Sequence, residues 1–173
     1  MSNTPYVTGL FKDRESAERA YQSVSERGYP ANDVDLVMSD ETRQRHFSST
    51  AAVTTELGNK AAEGAGIGGA IGGTVGAIAA AVAAIGTSLV LPGLGLVVAG
   101  PLAAAVAGAG AGAAGGGIIG ALIGLGIPEE RVKRYESGLK EGGILLGVKP
   151  RSDEDAAFIE QSWKTHNGDQ VYR

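Results

Sequence analysis

The pattern of apolar and polar residues predicts a strand, a helix and a strand in the N-terminal part of the chain. The two strands are the β-prone runs at 6–11 and 34–38. Between them, four apolar residues lie at positions i, i+3, i+4 and i+7, namely Ala17, Ala20, Tyr21 and Val24. This spacing is typical of the buried stripe of a helix, and Asp13 and Gly28 stand where its N-cap and its C-terminal end are expected.

The C-terminal part of the chain repeats this order. Residues 143–148 are mostly apolar and predict a strand, and a short last strand is expected at 170–172. Between them, Ser152 and Asp155 have the spacing of a capping box, and the helix that follows has an apolar stripe of Ala156, Ile159 and Trp163. Two β-α-β units make the α+β split β-α-β sandwich that is called ferredoxin-like.

An amphipathic helix is also predicted just before the third of these strands. Pro128 suits the first turn of this helix, and Glu129 and Glu130 complement its N-terminal dipole. Its apolar face consists of Val132, Tyr135 and Leu139. We expect Gly142 and Gly143 to end it.

The middle of the chain has no charged residue from Gly64 to Pro128, and glycine recurs there at every fourth position. The first series is Gly64, Gly68, Gly72 and Gly76. The second series is Gly108, Gly112, Gly116, Gly120 and Gly124, preceded at the same step by Gly100 and Ala104. A four-residue step keeps each series on one face of a helix, where another backbone can approach closely. The two series predict an antiparallel glycine-zipper helical hairpin, with a turn near 86–93 and the regular part of the second helix starting at 100–101.

These elements predict two domains. Residues 1–60 and 128–173 form one discontinuous ferredoxin-like α+β domain, and residues 61–127 form the glycine-zipper hairpin. The hairpin lies between the second and third strands of the sandwich. A surface loop between strands is a place where a fold tolerates such an insertion.

The uncharged segment is long enough for two membrane spans of about 20 residues each and a turn. Lys and Arg residues flank the hairpin on both sides and are missing from its tip, so both termini are expected in the cytoplasm. However, residues 107–117 are all Ala or Gly, which gain little from contact with lipid. The alternative is a water-soluble, cytoplasmic assembly that buries the hairpins. A homo-oligomer is expected in both cases, because one partner helix covers the Ala/Gly run on one side only.

Few residues suggest binding or catalytic chemistry. The net charge is −4 and no basic cluster is present, so we expect no nucleic-acid partner. Two matches to the dinucleotide fingerprint, at 64–69 and 110–115, neither follow a predicted strand nor precede an acidic residue at the required distance, so no cofactor is expected. The chain has no cysteine, and its two histidines, His46 and His166, have no second ligand at metal-binding spacing. We therefore predict no metal site, no catalytic residues and no enzymatic activity.

Several segments carry a resemblance to a known family: 7–13 with Ala17 and Ala20, 28–29, 34–39, 92–95, 99–102, 120–128, Tyr135, Gly138 and 142–144. The most distinctive are 126–130 and 142–143. They are similar to the glycine-rich members of the bacterial general stress protein family, the heat- or low-temperature-induced stress proteins. The resemblance implies a stress-linked bacterial protein of a kind commonly predicted to be membrane-associated, and it supplies no catalytic residues.

The sequence therefore leads to one expectation and one alternative. The expectation is a non-enzymatic bacterial stress-response protein that is membrane-associated or self-assembling through its Gly/Ala-rich hairpin. The alternative is a soluble homo-oligomeric scaffold or small-molecule-binding protein, with the hairpins buried at subunit contacts.

Overall fold

The computed structural model describes residues 6–47, 89–91, 95–108, 119–120, 122–123 and 127–173. These residues form one six-stranded antiparallel sheet with helices on both faces. The predicted α+β class is therefore confirmed.

The strands are β1 (Val7–Phe11), β2 (Val34–Ser39), β3 (Leu89–Leu91), β4 (Leu96–Ala99), β5 (Ile144–Val148) and β6 (Asp169–Tyr172). The helices are α1 (Arg14–Glu26), α2 (40–47), α3 (Pro101–Gly108), α4 (Glu129–Lys140) and α5 (Asp153–Thr165). A short 3₁₀ turn, Ala31–Asp33, precedes β2. Residues 119–120 and 122–123 are helical as well.

The helix starts follow from the predicted caps. The Asp13 carboxylate accepts a hydrogen bond from the backbone N–H of Ser16 at 2.8 Å, and the Ser152 hydroxyl oxygen accepts one from Asp155 at 3.1 Å. Each bond satisfies a backbone donor that has no partner inside its own helix. Both predicted N-caps are confirmed.

The strand order across the sheet is β3-β4-β2-β5-β1-β6, and every neighbouring pair is antiparallel. The strands of the N-terminal β-α-β unit, β1 and β2, thus alternate with those of the C-terminal unit, β5 and β6. Neither unit forms a sheet by itself, because β5 lies between β1 and β2.

The strands β3 and β4 were not expected. They lie within the segment that was predicted as a helical hairpin, and β4 pairs with β2 through Val98 opposite Val37. The stretch is rich in Leu and Val on both sides of a Pro-Gly sequence, a composition that favours two short strands and a turn. A long uncharged run does not by itself distinguish buried strands from helices. The helix start predicted at 100–101 agrees with α3.

Alternation along the strands divides the core into two layers. One face of the sheet packs against α1 and α5 and contains mainly Val7, Phe11, Leu36, Ile144, Leu146, Ala20, Ile159 and Trp163. The opposite face packs against α3, α4 and residue 122; its core is Leu10, Val37, Val98, Leu145, Leu102, Ala103, Leu122, Ile127, Val132, Tyr135 and Leu139. We call it the α3/α4 face. Much of its cover comes from residues between β2 and β5.

Gly138 allows α4 to lie close to the sheet. A Cβ atom at this position would come within 2.1 Å of a methyl carbon of Leu10 on β1. With a larger residue at this position, either the Leu10 side chain or the helix would have to move.

Candidate functional site

The most unusual group in the described part of the fold is the carboxyl group of Asp35. Alternation along β2 sends Val34 and Leu36 into the α1/α5 layer and turns Asp35 and Val37 towards the α3/α4 face. There α3 covers the strand, and Asp35 is only 2% exposed. Acidic side chains are seldom buried to this degree unless they have a partner.

Asp35 caps the N-terminus of α3. Its Oδ1 atom accepts a hydrogen bond of 2.5 Å from the backbone N–H of Leu102. The residue before the helix, Gly100, has no side chain with which to cap it. A side chain from β2 thus satisfies a helix donor 67 residues further along the chain.

Gly100 is required where it lies. Its φ is +95°, and a Cβ atom there would be 2.4 Å from the carbonyl oxygen of Val34 and 2.9 Å from Oδ1 of Asp35. The close approach of Gly100 to β2 brings the start of α3 against the carboxyl group. Gly100 precedes the second zipper series at the same four-residue step, whereas its contacts in the structure are with strand β2.

A small cavity lies beside Asp35. Asp35 on β2 is paired with Gly147 on β5, which is in turn paired with Thr8 on β1. Because Gly147 has no side chain, a space of about 10 Å³ remains, lined by Tyr6, Thr8, Asp35, Val37, Leu102, Leu122, Leu145 and Gly147. This volume is about that of one water molecule.

Two polar atoms near the cavity have no hydrogen-bond partner among the residues that the structure describes: Oδ2 of Asp35 and the hydroxyl group of Tyr6. Both side chains lie close to Gly147. A Cβ atom on that glycine would be 3.5 Å from Oδ2 of Asp35 and 2.9 Å from Cε1 of Tyr6. A buried polar atom without a partner is costly, and for the carboxyl oxygen the cost is lower when the group is protonated.

The third polar side chain that lines the cavity, Thr8, has a hydrogen-bond partner. The Tyr135 hydroxyl donates to the backbone carbonyl of Gln170 at 2.9 Å. It therefore accepts its second hydrogen bond, of 2.8 Å, from the Thr8 hydroxyl. This chain ties α4 and β6 to β1, and it leaves the Thr8 proton directed away from Asp35.

Burial raises the pKa of Asp35 from 3.8 to about 7, while the hydrogen bond from Leu102 acts in the opposite direction. Desolvation dominates because no positive charge lies on the strands and helix that surround the carboxyl group, β1, β4, β5 and α3. The group can therefore exchange a proton near neutral pH.

The glycine-zipper residues are covered only in part by the described ranges. Gly108 is the last residue of α3. Gly120 is exposed, and a Cβ atom there would meet no atom within 4 Å. The remaining predicted zipper positions, Gly64, Gly68, Gly72, Gly76, Gly112, Gly116 and Gly124, lie outside the described residues, as do the fingerprint matches at 64–69 and 110–115. Their role in helix packing stays a prediction.

Two described residues of the region that contains the second series, Leu102 and Leu122, both line the cavity of about 10 Å³. In one straight helix, 20 residues would separate them by about 30 Å at 1.5 Å per residue. Residues 102 and 122 therefore lie on different segments, while the packing role of the second series stays a prediction.

Sequence reasoning missed Asp35, Tyr6 and Gly147. The one available signal was an acid inside the otherwise apolar strand at 34–38, in a position that alternation leaves free to face solvent. Within the described ranges, no group of three or more His, Cys, Asp or Glu side chains could hold a metal ion. No helix in the part of the chain that the structure describes is long and apolar enough to cross a membrane.

Comparisons of the chain with protein-family models, with curated proteins and with solved structures each gave no match.

Proposed function

We propose that this protein is a non-enzymatic stress-response protein of the bacterial general stress protein type, in which a compact α+β domain carries a glycine-rich segment for membrane association or self-assembly. The resemblance of the sequence to that family supports the stress-linked role. The packing of α3 on the domain supports a role of the glycine-rich segment in membrane association or self-assembly.

The proposal includes a ferredoxin-like domain with an insertion. The order β6-β1-β5-β2 has the alternation expected of a split β-α-β sandwich. The insertion at 61–127, between β2 and β5, would then contain β3, β4 and α3. The insertion is part of the domain's sheet and core, because β4 pairs with β2 and α3 packs on the α3/α4 face.

The observation that supports the proposed assembly is that one side of α3 is buried against the sheet and the other side is exposed. Leu102 and Ala103 are buried against the sheet, whereas Ala104 is exposed. Gly120, in the later helical piece, is also exposed beside the buried Leu122. Ala104 and Gly120 of the zipper series thus lie on the outside, where a helix of another subunit could approach closely. Gly100 of the same series is buried against β2.

The membrane arrangement is the leading form of this proposal. Residues 89–91 and 95–108 of the uncharged stretch from 64 to 128 belong to the described sheet and to α3. The uncharged residues outside the described ranges favour an environment without water, and the flanking basic residues favour cytoplasmic termini. The alternative is a cytoplasmic homo-oligomer that buries the same surface, acting as a scaffold or as a small-molecule-binding protein.

Fractionation and mass measurement test the proposal together. Cells expressing the full chain are separated into membrane and soluble fractions before and after treatment with a mild detergent, and the mass of the released protein is measured. Membrane-bound protein that detergent releases as an oligomer would support the leading form. Soluble oligomer would support the alternative. A soluble monomer at micromolar concentration would overturn both.

A further inference from the structure

We propose that the contact between Asp35 and α3 is a pH-sensitive attachment, in which docking of α3 onto the sheet requires a proton on Asp35. The N-terminal end of α3 would then be held to the sheet most tightly in mildly acidic conditions. It would be held most weakly above neutral pH.

The geometry makes Asp35 part of the docking surface. Its Oδ1 atom caps α3 through Leu102, and Gly100 lies so close to β2 that no side chain fits between them. The carboxyl group is therefore buried by α3 itself. If α3 moves away from the sheet, water reaches Asp35.

The surroundings of Asp35 suit a protonated acid better than a carboxylate. Oδ2 has no partner in the described part of the chain, so an ionised group would carry charge on a buried atom without a donor. A protonated Oδ2 can donate to one water molecule in the cavity. Oδ1 still accepts from Leu102.

No other charge in the described surroundings offsets this preference. The cavity is lined by one further titratable group, Tyr6. The second tyrosine on this face, Tyr135 of α4, is bonded to Thr8 and to the carbonyl of Gln170. Strands β1, β4 and β5 and helix α3 contain no charged residue. Helix α4 packs on the same face and does carry charged residues, but all of them are exposed or half-buried and none lines the cavity. Both tyrosines are neutral near pH 7, so Asp35 is the group that titrates there.

The sign of the effect follows from proton linkage. Docked Asp35 keeps its proton up to about pH 7, whereas the solvated side chain loses it near pH 3.9. Between these values the docked state binds one more proton than the undocked state. The docking equilibrium constant should therefore fall about tenfold for each unit of rising pH and should level off above pH 7.

Hydrogen exchange of the α3 amides measures this equilibrium directly. After correction for intrinsic exchange rates, we expect the protection of α3 in the full chain to fall by about a hundredfold between pH 5 and pH 8. Asp35→Asn should abolish that fall, because its amide can accept from Leu102 and donate into the cavity at every pH. At pH 8 the variant should be protected about as well as the unmodified protein at pH 5.

Asp33→Asn is the matched control. It makes the same change two residues away, at an exposed side chain that pairs with Arg151, and it should keep the full pH dependence. Equal pH dependence in Asp35→Asn and in the unmodified protein would overturn the proposal, as would constant protection of α3 in the unmodified protein.

A second measurement uses the unmodified protein and gives the pKa of Asp35 directly. The carboxyl carbon of Asp35 can be followed by NMR in the isotope-labelled protein from pH 3 to pH 9. A midpoint near 7 is expected. A midpoint near the ordinary value of about 4 would overturn the proposal.

Discussion

Asp35 on β2 and Gly147 on β5 are direct neighbours across the sheet, and the absent side chain of Gly147 leaves the cavity beside the carboxyl group. The glycine thereby makes room for the Tyr6 ring, whose Cε1 atom would lie 2.9 Å from a Cβ at position 147. The buried acid, the tyrosine and the cavity are thus one arrangement that depends on a single small residue in a central strand.

Gly147→Ala should destabilise the protein by about 1–3 kcal/mol, because the added methyl group collides with the Tyr6 ring and fills the cavity. Urea unfolding measures the change. Gly120→Ala is the matched control. It also adds a methyl group, but it meets no atom within 4 Å in a helical segment, so it should be neutral or stabilise by up to about 1 kcal/mol. Equal stability of the two variants would show that the cavity is not packed as described.

The sequence predicted the elements whose signals are local. Asp13 and Ser152 were identified as caps from their positions before apolar stripes, and the structure places both at helix starts. The two β-α-β units were identified for the same reason, since periods of two and of 3.6 residues can be read within a short window.

The features that were missed depend on distant contacts. A single acid in a strand has the same local pattern whether it faces water or a helix, and Asp35 is buried by α3, whose Leu102 is 67 residues away. Strands β3 and β4 were missed for a related reason. Their Leu and Val residues carry no charge that would mark one side as exposed, so they were included in a helical hairpin.

Gly100→Ala should strongly weaken the attachment of α3 to the sheet, because Gly100 lies directly before the helix and against β2. The φ of +95° is unfavourable for alanine, and the added Cβ would lie 2.4 Å from the Val34 carbonyl oxygen. We expect a loss of more than about 2 kcal/mol in stability, measured by urea unfolding, since strain and a backbone collision combine.

Gly95→Ala is the control for the strain alone. Gly95 also has a positive φ, of +61°, but a Cβ atom there would meet no atom within 4 Å. This variant should lose only about 1–2 kcal/mol. If Gly100→Ala were no worse than Gly95→Ala, the close approach of α3 to β2 would be contradicted.

Asp155→Ala should destabilise the opposite side of the sheet by about 1–3 kcal/mol. The Asp155 carboxylate accepts a hydrogen bond of 2.7 Å from the Tyr29 hydroxyl and one of 2.8 Å from Arg27, and the alanine leaves the hydroxyl of a buried tyrosine without its acceptor. Asp153→Ala is the control, since Asp153 is an exposed acid in the same first turn. It should lose at most about 1 kcal/mol, from the helix dipole.

Asp155→Asn should alter how the free energy of unfolding depends on pH in the acidic range. The bonds from Tyr29 and Arg27 hold the pKa of Asp155 below its usual value of 3.8. Its stabilising contribution is therefore present at neutral pH and is lost as the pH falls through the lowered pKa. The difference in unfolding free energy between Asp155→Asn and the unmodified protein should shrink as the pH falls below the usual pKa of 3.8. A constant difference from pH 7 to pH 2 would contradict this role.

Ala104→Leu and Gly120→Leu should reduce the size of the assembly without unfolding the domain. Both positions are exposed in the described structure, so a leucine fits on the isolated subunit, but it would keep another helix from approaching the small-residue surface. Ala157→Leu makes a matched change at an exposed position of α5, on the opposite face of the sheet. Mass measurement of the purified protein should give a smaller species for the first two variants and an unchanged one for the third, with similar thermal unfolding in all. If all three keep the mass of the unmodified protein, the surface formed by Ala104 and Gly120 is not where subunits meet.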